Sequence, residues 1–496
     1  MAKKFLAVLL AVLLTAGLFS ACSQSTDDNG TETTAQTVTQ FVTDDENFKL
    51  SYTQSDSLDP FKAKTQNNQV LASLVFESLF DLDETFSAVP NIATGYEYTE
   101  SKTLKVTIPS GLQFSDGSAL TSEDVVYSFN AAADSPAYGS TLKGIDSAYA
   151  DGDNIIVFSL KYANPYAHNL LSFPIASTDD SKDGYPIGSG KYQYKATDRG
   201  MTLIANDIEG FKPHITTIHL VNIAAADSID NAVNIGNISY AFRDLSENST
   251  KRITAAKKQV PLNNLVYIGF NNKSTSMSNA NIRKAVSLAI DRATIAKSAY
   301  SGYASAATGV FHPSFELASS TKIFSETADT AAAKQQVSLS SLEAKDLEIT
   351  LLINDNVNRT AAASLIKSEL EAVGFKVTVE KEKFSTYKTR IKNLDYDIYL
   401  GETRLPNDMC LNTFFTSSGA ARYGIDQGKE STAAVYKKYL NGEEELGKFI
   451  LSFSENMPYV PILYRKGMIC YSKSLKGDMQ GYYNNFFANI EDWYFE

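Results

Sequence analysis

Cysteine is scarce in this chain: three residues in 496, at Cys22, Cys410 and Cys470. With Cys22 committed elsewhere, as argued below, one pair remains, and it is open whether Cys410 and Cys470 bridge or stay as two buried thiols. Histidine is equally sparse. His168, His214, His219 and His312 are scattered, and no Cys/His spacing suits a zinc site, so no metal centre is expected. Positive charge is in deficit, with 45 Lys and Arg against 57 Asp and Glu and a formal charge of −12. Binding to phosphates needs basic patches, so nucleic acid is excluded as a partner, and the acidic surface mainly confers solubility. The apolar run at the start, Phe5 to Leu14, is shorter than the roughly 20 residues of a membrane span. Around Pro186-Ile187-Gly188-Ser189-Gly190-Lys191-Tyr192 the lysine and hydroxyl spacing of a phosphate loop is missing. The two glycines there suit a tight turn instead. No nucleophile and base form a catalytic constellation, so neither an enzyme nor a cofactor is expected.

What is present begins with an export signal. Met1-Ala2-Lys3-Lys4 leads into the apolar run, and small residues follow up to Ser20-Ala21. A basic start, a short apolar stretch and small residues before a cut are the layout of a secretory signal. The next residue is Cys22. This resembles the bacterial lipobox, with Phe19 where leucine is preferred, and implies a signal over residues 1–22 ending at a lipidated Cys22. Residues 23–47 are rich in Ser, Thr, Gln, Asp and Asn. Such a segment buries too little apolar surface to offset its ordering entropy, and it is expected to be a flexible tether. Two or more acyl chains on Cys22 would hold the protein on the outer face of the cytoplasmic membrane.

The body is longer than an ordinary domain of about 100–200 residues, so at least two lobes are expected. Strands are predicted over 48–53, 104–108, 155–160, 201–205 and 215–223, then 266–272, 347–353, 375–379, 396–400 and 459–464. Helical spacing of apolar residues covers 70–79, 281–299 and 358–372. Thr121 can cap a further helix whose first turn holds Glu123 and Asp124. The strand, helix, strand order over 347–379 points to a right-handed crossover and an α/β lobe. Residues 477–496 read as an aromatic-rich loop.

Several segments then stand in a recognisable series: Leu58-Asp59-Pro60, Pro90-Asn91-Ile92-Ala93, Ile108 to Gly117 (IPSGLQFSDG) and Leu120 to Phe129 (LTSEDVVYSF). Pro186 to Tyr192, Phe270-Asn271-Asn272, Ile282 to Ala285 and Ala289-Ile290-Asp291-Arg292 follow. In this order they resemble the bacterial extracellular solute-binding proteins of family 5, the family of dipeptide, oligopeptide and nickel binding proteins. The resemblance implies an α/β, two-lobed fold of the type II periplasmic-binding-protein kind. Residues 48–264 plus 466–496 would form lobe I, and 265–465 lobe II. A ligand would bind in the cleft between them and shift a hinge equilibrium toward closure. The implied function is capture of a peptide or similar small solute by a monomer. The solute passes to the permease subunits of an ABC importer and their ATPases. A pheromone or nutrient-sensing receptor without transport, or a nickel-chelate binding protein, would share these features.

Peptide-binding members carry an aspartate after the strand corresponding to 396–400, where it pairs with the peptide's amino group. Here the segment runs Gly401-Glu402-Thr403-Arg404-Leu405 to Leu411, and Thr403 falls near the aspartate's place. Glu402 or Asp408 could substitute only with a register shift. Arg404 is the sharper candidate, because its planar fork pairs with a carboxylate through two hydrogen bonds. The alternatives are a salt bridge to a neighbour such as Glu402, or a solvated loop. Lys64, Thr65 and Asn67 follow the first strand, where family contacts arise. Tyr267 and Asn271 lie near one crossing between lobes, and Tyr464 and Arg465 near the other. Each of these also has an ordinary reading in core packing or solvation.

Overall fold

The computed structural model describes residues 48–179, 185–198, 200–245 and 253–496. The expected signal, Cys22 and the tether lie outside the described residues. Among the described residues, no helix is long and apolar enough to cross a membrane.

One hydrogen-bonded sheet runs through the molecule. Its spine is an antiparallel pair of long strands, Ala256–Phe270 and Tyr459–Tyr471. Their register shifts twice, between Pro261 and Leu265 and between Val266 and Tyr267. Each shift adjoins a proline, Pro261 in one strand and Pro461 in the other. Proline has no N–H to give a ladder, and both strands are interior to the sheet, so the chain bulges there. On one side of the bulges the sheet continues through Tyr240–Arg243, Lys49–Tyr52, Thr217–Asn222, Gly200–Ala205 and Tyr192–Thr197. On the other it continues through Ile398–Arg404, Glu348–Asn354 and Lys376–Glu382.

The apolar core divides at the same place. Val260, Leu262 and Ile469 pack with residues from the first part of the chain and with Phe487, Ile490 and Trp493. Leu265 to Phe270 and Tyr459 to Tyr464 pack in a second core built from the block between them. Phe86 is the exception: it sits at φ 64°, is buried in the second core and meets His312 edge-on at 4.7 Å.

In the second block, Glu348–Asn354 pairs parallel with Lys376–Glu382 on one side and with Ile398–Arg404 on the other. Helix Val357–Glu371 links the first two and helix Phe384–Asn393 precedes the third. Three parallel strands therefore end at the same edge, beside the start of a helix. Crevices outside such carboxyl ends are where open α/β sheets bind ligands.

Local expectations are mostly met, with instructive shifts. The helix that opens after Thr121 is fixed by Asp124, whose Oδ2 accepts from the Thr121 N–H at 2.9 Å and its hydroxyl at 3.1 Å. The helix expected over 70–79 lies at Gln66–Val75, and Phe76 is already extended. Gly188 and Gly190 follow at the point where this helix ends. Neither has positive φ; a Cβ on Gly190 would stand 2.5 Å from the Val75 carbonyl carbon. Close approach, rather than a tight turn, requires glycine there. The long helix expected over 281–299 is two, Ala280–Ala289 and Arg292–Ser298, because Asp291 caps the second by accepting from the Thr294 N–H at 2.8 Å. Arg292 is buried and donates to the carbonyls of Pro461, Ser287 and Ser325. Cys410 and Cys470 are free thiols. The 477–496 segment is mostly turns, yet Trp493 is fully buried against Phe48, Tyr240 and Phe487.

Candidate ligand-binding cleft

A cavity of about 1110 Å³ opens at the carboxyl edge of Glu348–Asn354 and Ile398–Arg404. Its size suits a small organic ligand. Tyr267, Tyr387 and Tyr399 form an apolar floor. The Tyr267 and Tyr399 hydroxyls lie 3.1 Å apart, and Tyr387 donates to the Leu400 carbonyl at 2.8 Å. Glycine makes room for these rings. A Cβ on Gly401 would stand 2.5 Å from Tyr267 Cζ and 2.8 Å from Tyr399 Cε2.

Glu402 organises the charge beside this floor. Its Oε1 accepts from Arg465 Nη1 at 2.7 Å and Asn264 Nδ2 at 2.9 Å, and its Oε2 from Arg359 Nη2 at 3.0 Å. Burial alone would push this carboxyl up, but Arg465 and Arg359 outweigh it and hold it down at about 2. Arg359 also donates to Asn354 Oδ1, and Arg465 to the Asp244 carbonyl. The carboxylate has three donors, all from protein.

Arg404 is arranged differently. Nε donates to Asn264 Oδ1 at 3.1 Å and Nη1 to the Tyr483 hydroxyl at 2.6 Å. The guanidinium lies 5.1 Å from the Tyr483 ring centroid. No acid pairs with it among the described residues, and Nη2 carries no protein partner. Arg404 lines the 1110 Å³ cavity and also a second one of about 230 Å³. The second cavity lies on the other side of the sheet's bulges, walled by Glu77, Asp81, Lys191 and Tyr483. Burial pushes the Glu77 and Asp81 carboxyls up. Arg404 therefore stands where the two cavities meet.

The remaining expected site residues divide clearly. Tyr267 and Thr403 line the large cavity with Arg404 and Glu402. Asn67 donates to the Ile223 carbonyl at 3.1 Å and lines only a crevice of about 10 Å³. The Lys64 and Thr65 backbone N–H groups donate to Asp56 Oδ2 at 3.0 and 2.7 Å, an arrangement that starts the helix Gln66–Val75. Neither borders the two cavities. Asn271 spends its amide on the Leu394 and Tyr396 carbonyls, and Tyr464 donates to the Val310 carbonyl at 2.9 Å. Both hold the second core together, and Arg465 serves Glu402. Asp408, the other acid of the segment, is buried; it accepts from Asn164 Nδ2 at 2.7 Å and from the Cys410 N–H at 3.0 Å.

Arg359, Lys388, Lys392, Tyr387 and Tyr399 line the cavity without having been singled out from sequence. Arg359 did leave a trace. It lies in the first turn of helix Val357–Glu371, where the dipole disfavours a cation and no acid is present. A basic side chain retained there signals a specific partner, here Glu402.

These features define a two-lobed α/β ligand-binding protein of type II, with cavities meeting at the crossing strands. The same architecture is found in the ABC transporter substrate-binding protein CtaP from Listeria monocytogenes. The two superpose with a TM-score of 0.70 at 20% identity, over 90% of this chain and 99% of that one. The family model for bacterial extracellular solute-binding proteins, family 5 Middle, matches residues 87–421, more than half of the sequence, and the chain belongs to this family. It is 26% identical over 342 residues to the oligopeptide-binding protein AppA of Bacillus subtilis, covering 60% of each chain. It is 25% identical over 287 residues to the glutathione-binding protein GsiB of Escherichia coli, covering 54% of this chain and 56% of that one. The chain thus matches less than two thirds of the length of these curated relatives.

Proposed function

We propose that this protein captures a peptide or similar small solute in the cleft at Arg404 and delivers it to the permease of an ABC importer. The observation that carries the reading is Arg404 itself. Among the described residues it has no acid partner and Nη2 meets no acceptor, and it borders both cavities. A guanidinium so placed grips a ligand carboxylate, and the tyrosine floor packs the ligand's apolar parts. Oligopeptide and glutathione binding by the relatives AppA and GsiB supports the ligand class.

In this reading residues 48–264 and 466–496 form lobe I and 265–465 lobe II, in keeping with the division of the core at the two bulges. Cys22, lipidated after removal of the signal, anchors a monomer to the membrane through the 23–47 tether. The protein binds without catalysis. The Cys410 thiol is pushed up to about 12 by burial and lines neither cavity.

Isothermal titration of the purified protein with a tripeptide library tests the function. Arg404→Ala is expected to weaken the best ligand by about 10- to 100-fold, the loss of a charge-assisted pair. Unchanged affinity refutes the role of Arg404. Native mass spectrometry of protein taken from its own cells identifies the solute, and an acylated N-terminal peptide in the same sample tests Cys22.

A further inference from the structure

We infer that the ligand turns an anionic end into the 1110 Å³ cavity, and that the natural ligand is an acidic solute with at least two carboxylates. This deepens the proposed function and rests on it. Among the described residues, the lining carries Arg359, Lys388, Lys392 and Arg404 against Asp355 and Glu402. Both acids are already committed. Glu402 is held by Arg359 and Arg465, and Asp355 lies 3.2 Å from Lys381, which is outside the lining. Lys388, Lys392 and Arg404 have no acid partner among the described residues.

Two of these cations stand close together on one helix face. Lys388 and Lys392 are one turn apart on helix Phe384–Asn393, where like charges repel. Lys388 lies 4.8 Å from the Phe384 ring centroid, which keeps it beside the cavity mouth. The positive end of helix Val357–Glu371 points to the same space, with Asn356 spent on capping the Arg359 N–H at 3.1 Å. A concave wall with an excess of one sign focuses its field and draws in the opposite charge. In a chain of net charge −12 this local excess is conspicuous. Among the described lining residues, an ammonium end would meet only Glu402, held by two arginines, and Asp355, 3.2 Å from Lys381. The second anionic group follows from the number of cations: Arg404 takes one carboxylate, and the Lys388 and Lys392 pair takes another.

Four probes test this by titration: the tripeptides Glu-Glu-Glu, Ala-Ala-Ala and Lys-Lys-Lys, and citrate. Glu-Glu-Glu is expected to bind at least tenfold tighter than Lys-Lys-Lys. Its affinity should fall about tenfold in K388E/K392E, as two exposed charge reversals imply. It should also fall when unaltered protein is moved from low salt to about 0.5 M, which removes dependence on the variant's folding. Equal affinity for the three peptides, or no loss in both the variant and salt, overturns the charge assignment and leaves solute binding standing. Binding of citrate with no peptide bound upholds the charge assignment and overturns the peptide reading. Binding of none of the four overturns both.

Discussion

Replacing Glu402 with glutamine tests the physical core of the site. The exchange keeps shape and one acceptor but removes the charge that faces Arg359 and Arg465. Side-chain exposure is 17% for Glu402, 12% for Arg359 and 3% for Arg465, so water compensates little. Holding this carboxyl at about 2 instead of 4.5 is worth ~3 kcal/mol in favour of the charged, folded form. Breaking a buried ion pair by removing one partner has a similar cost, about 3–5 kcal/mol. The sign of the pH dependence follows. A depressed carboxyl contributes stability above its unfolded value and loses it as pH falls toward its folded value. Glu402→Gln is therefore expected to be ~3 kcal/mol less stable at pH 7, with the gap closing between about pH 4.5 and 2. Urea unfolding followed by fluorescence, at pH 7 and at steps down to pH 3, measures both quantities. A loss under ~1 kcal/mol at pH 7, or a gap that does not narrow with acid, refutes the argument.

Gly401→Ala places a methyl group 2.5 Å from the Tyr267 ring. It should lower stability by about 1–3 kcal/mol through overpacking and weaken ligand binding as the floor shifts; thermal melts and titration together check this. Asp408→Asn should act in the opposite sense. Burial pushes this carboxyl up to about 6 from an ordinary 3.8, so its ionisation costs stability as pH rises through about 6. The stability difference between the asparagine variant and the parent is expected to move in the variant's favour by at most ~3 kcal/mol between about pH 4 and pH 7, as read by the same urea series.

The architecture was legible because its signals are local. Asp124 three residues after Thr121 announces a helix start, and the same logic, read one step further, makes Asp291 a cap that divides a helix. The cavity was less legible. Glu402 meets residues 43 and 63 positions away in sequence, and no local pattern records those pairs. Strand alternation also fails where it is most wanted. Tyr459 to Tyr464 is buried on both faces, so its sequence does not say which side chains face a cleft. Tyr464 and Asn271 were plausible from their place near the crossings, yet each is bonded inward. Arg404, at the exposed end of its strand, stood out only because its planar fork suits a carboxylate.

The acid that follows Leu400, Glu402, is used within the protein. Glu402 lines the cavity but neutralises two arginines, whereas an acid at position 403 would line it without those partners. With Thr403 there instead, the lining's acids are Glu402, which faces two arginines, and the exposed Asp355 beside Lys381, set against Arg404, Lys388 and Lys392. Stability and specificity are thereby linked through one side chain. If Glu402 is neutralised, Arg359 loses its partner while still lining the cavity, so the wall becomes more positive as the fold becomes weaker. Stability and affinity for an anionic solute should then move in opposite directions in Glu402→Gln, which a uniform loosening of the lobe would not produce.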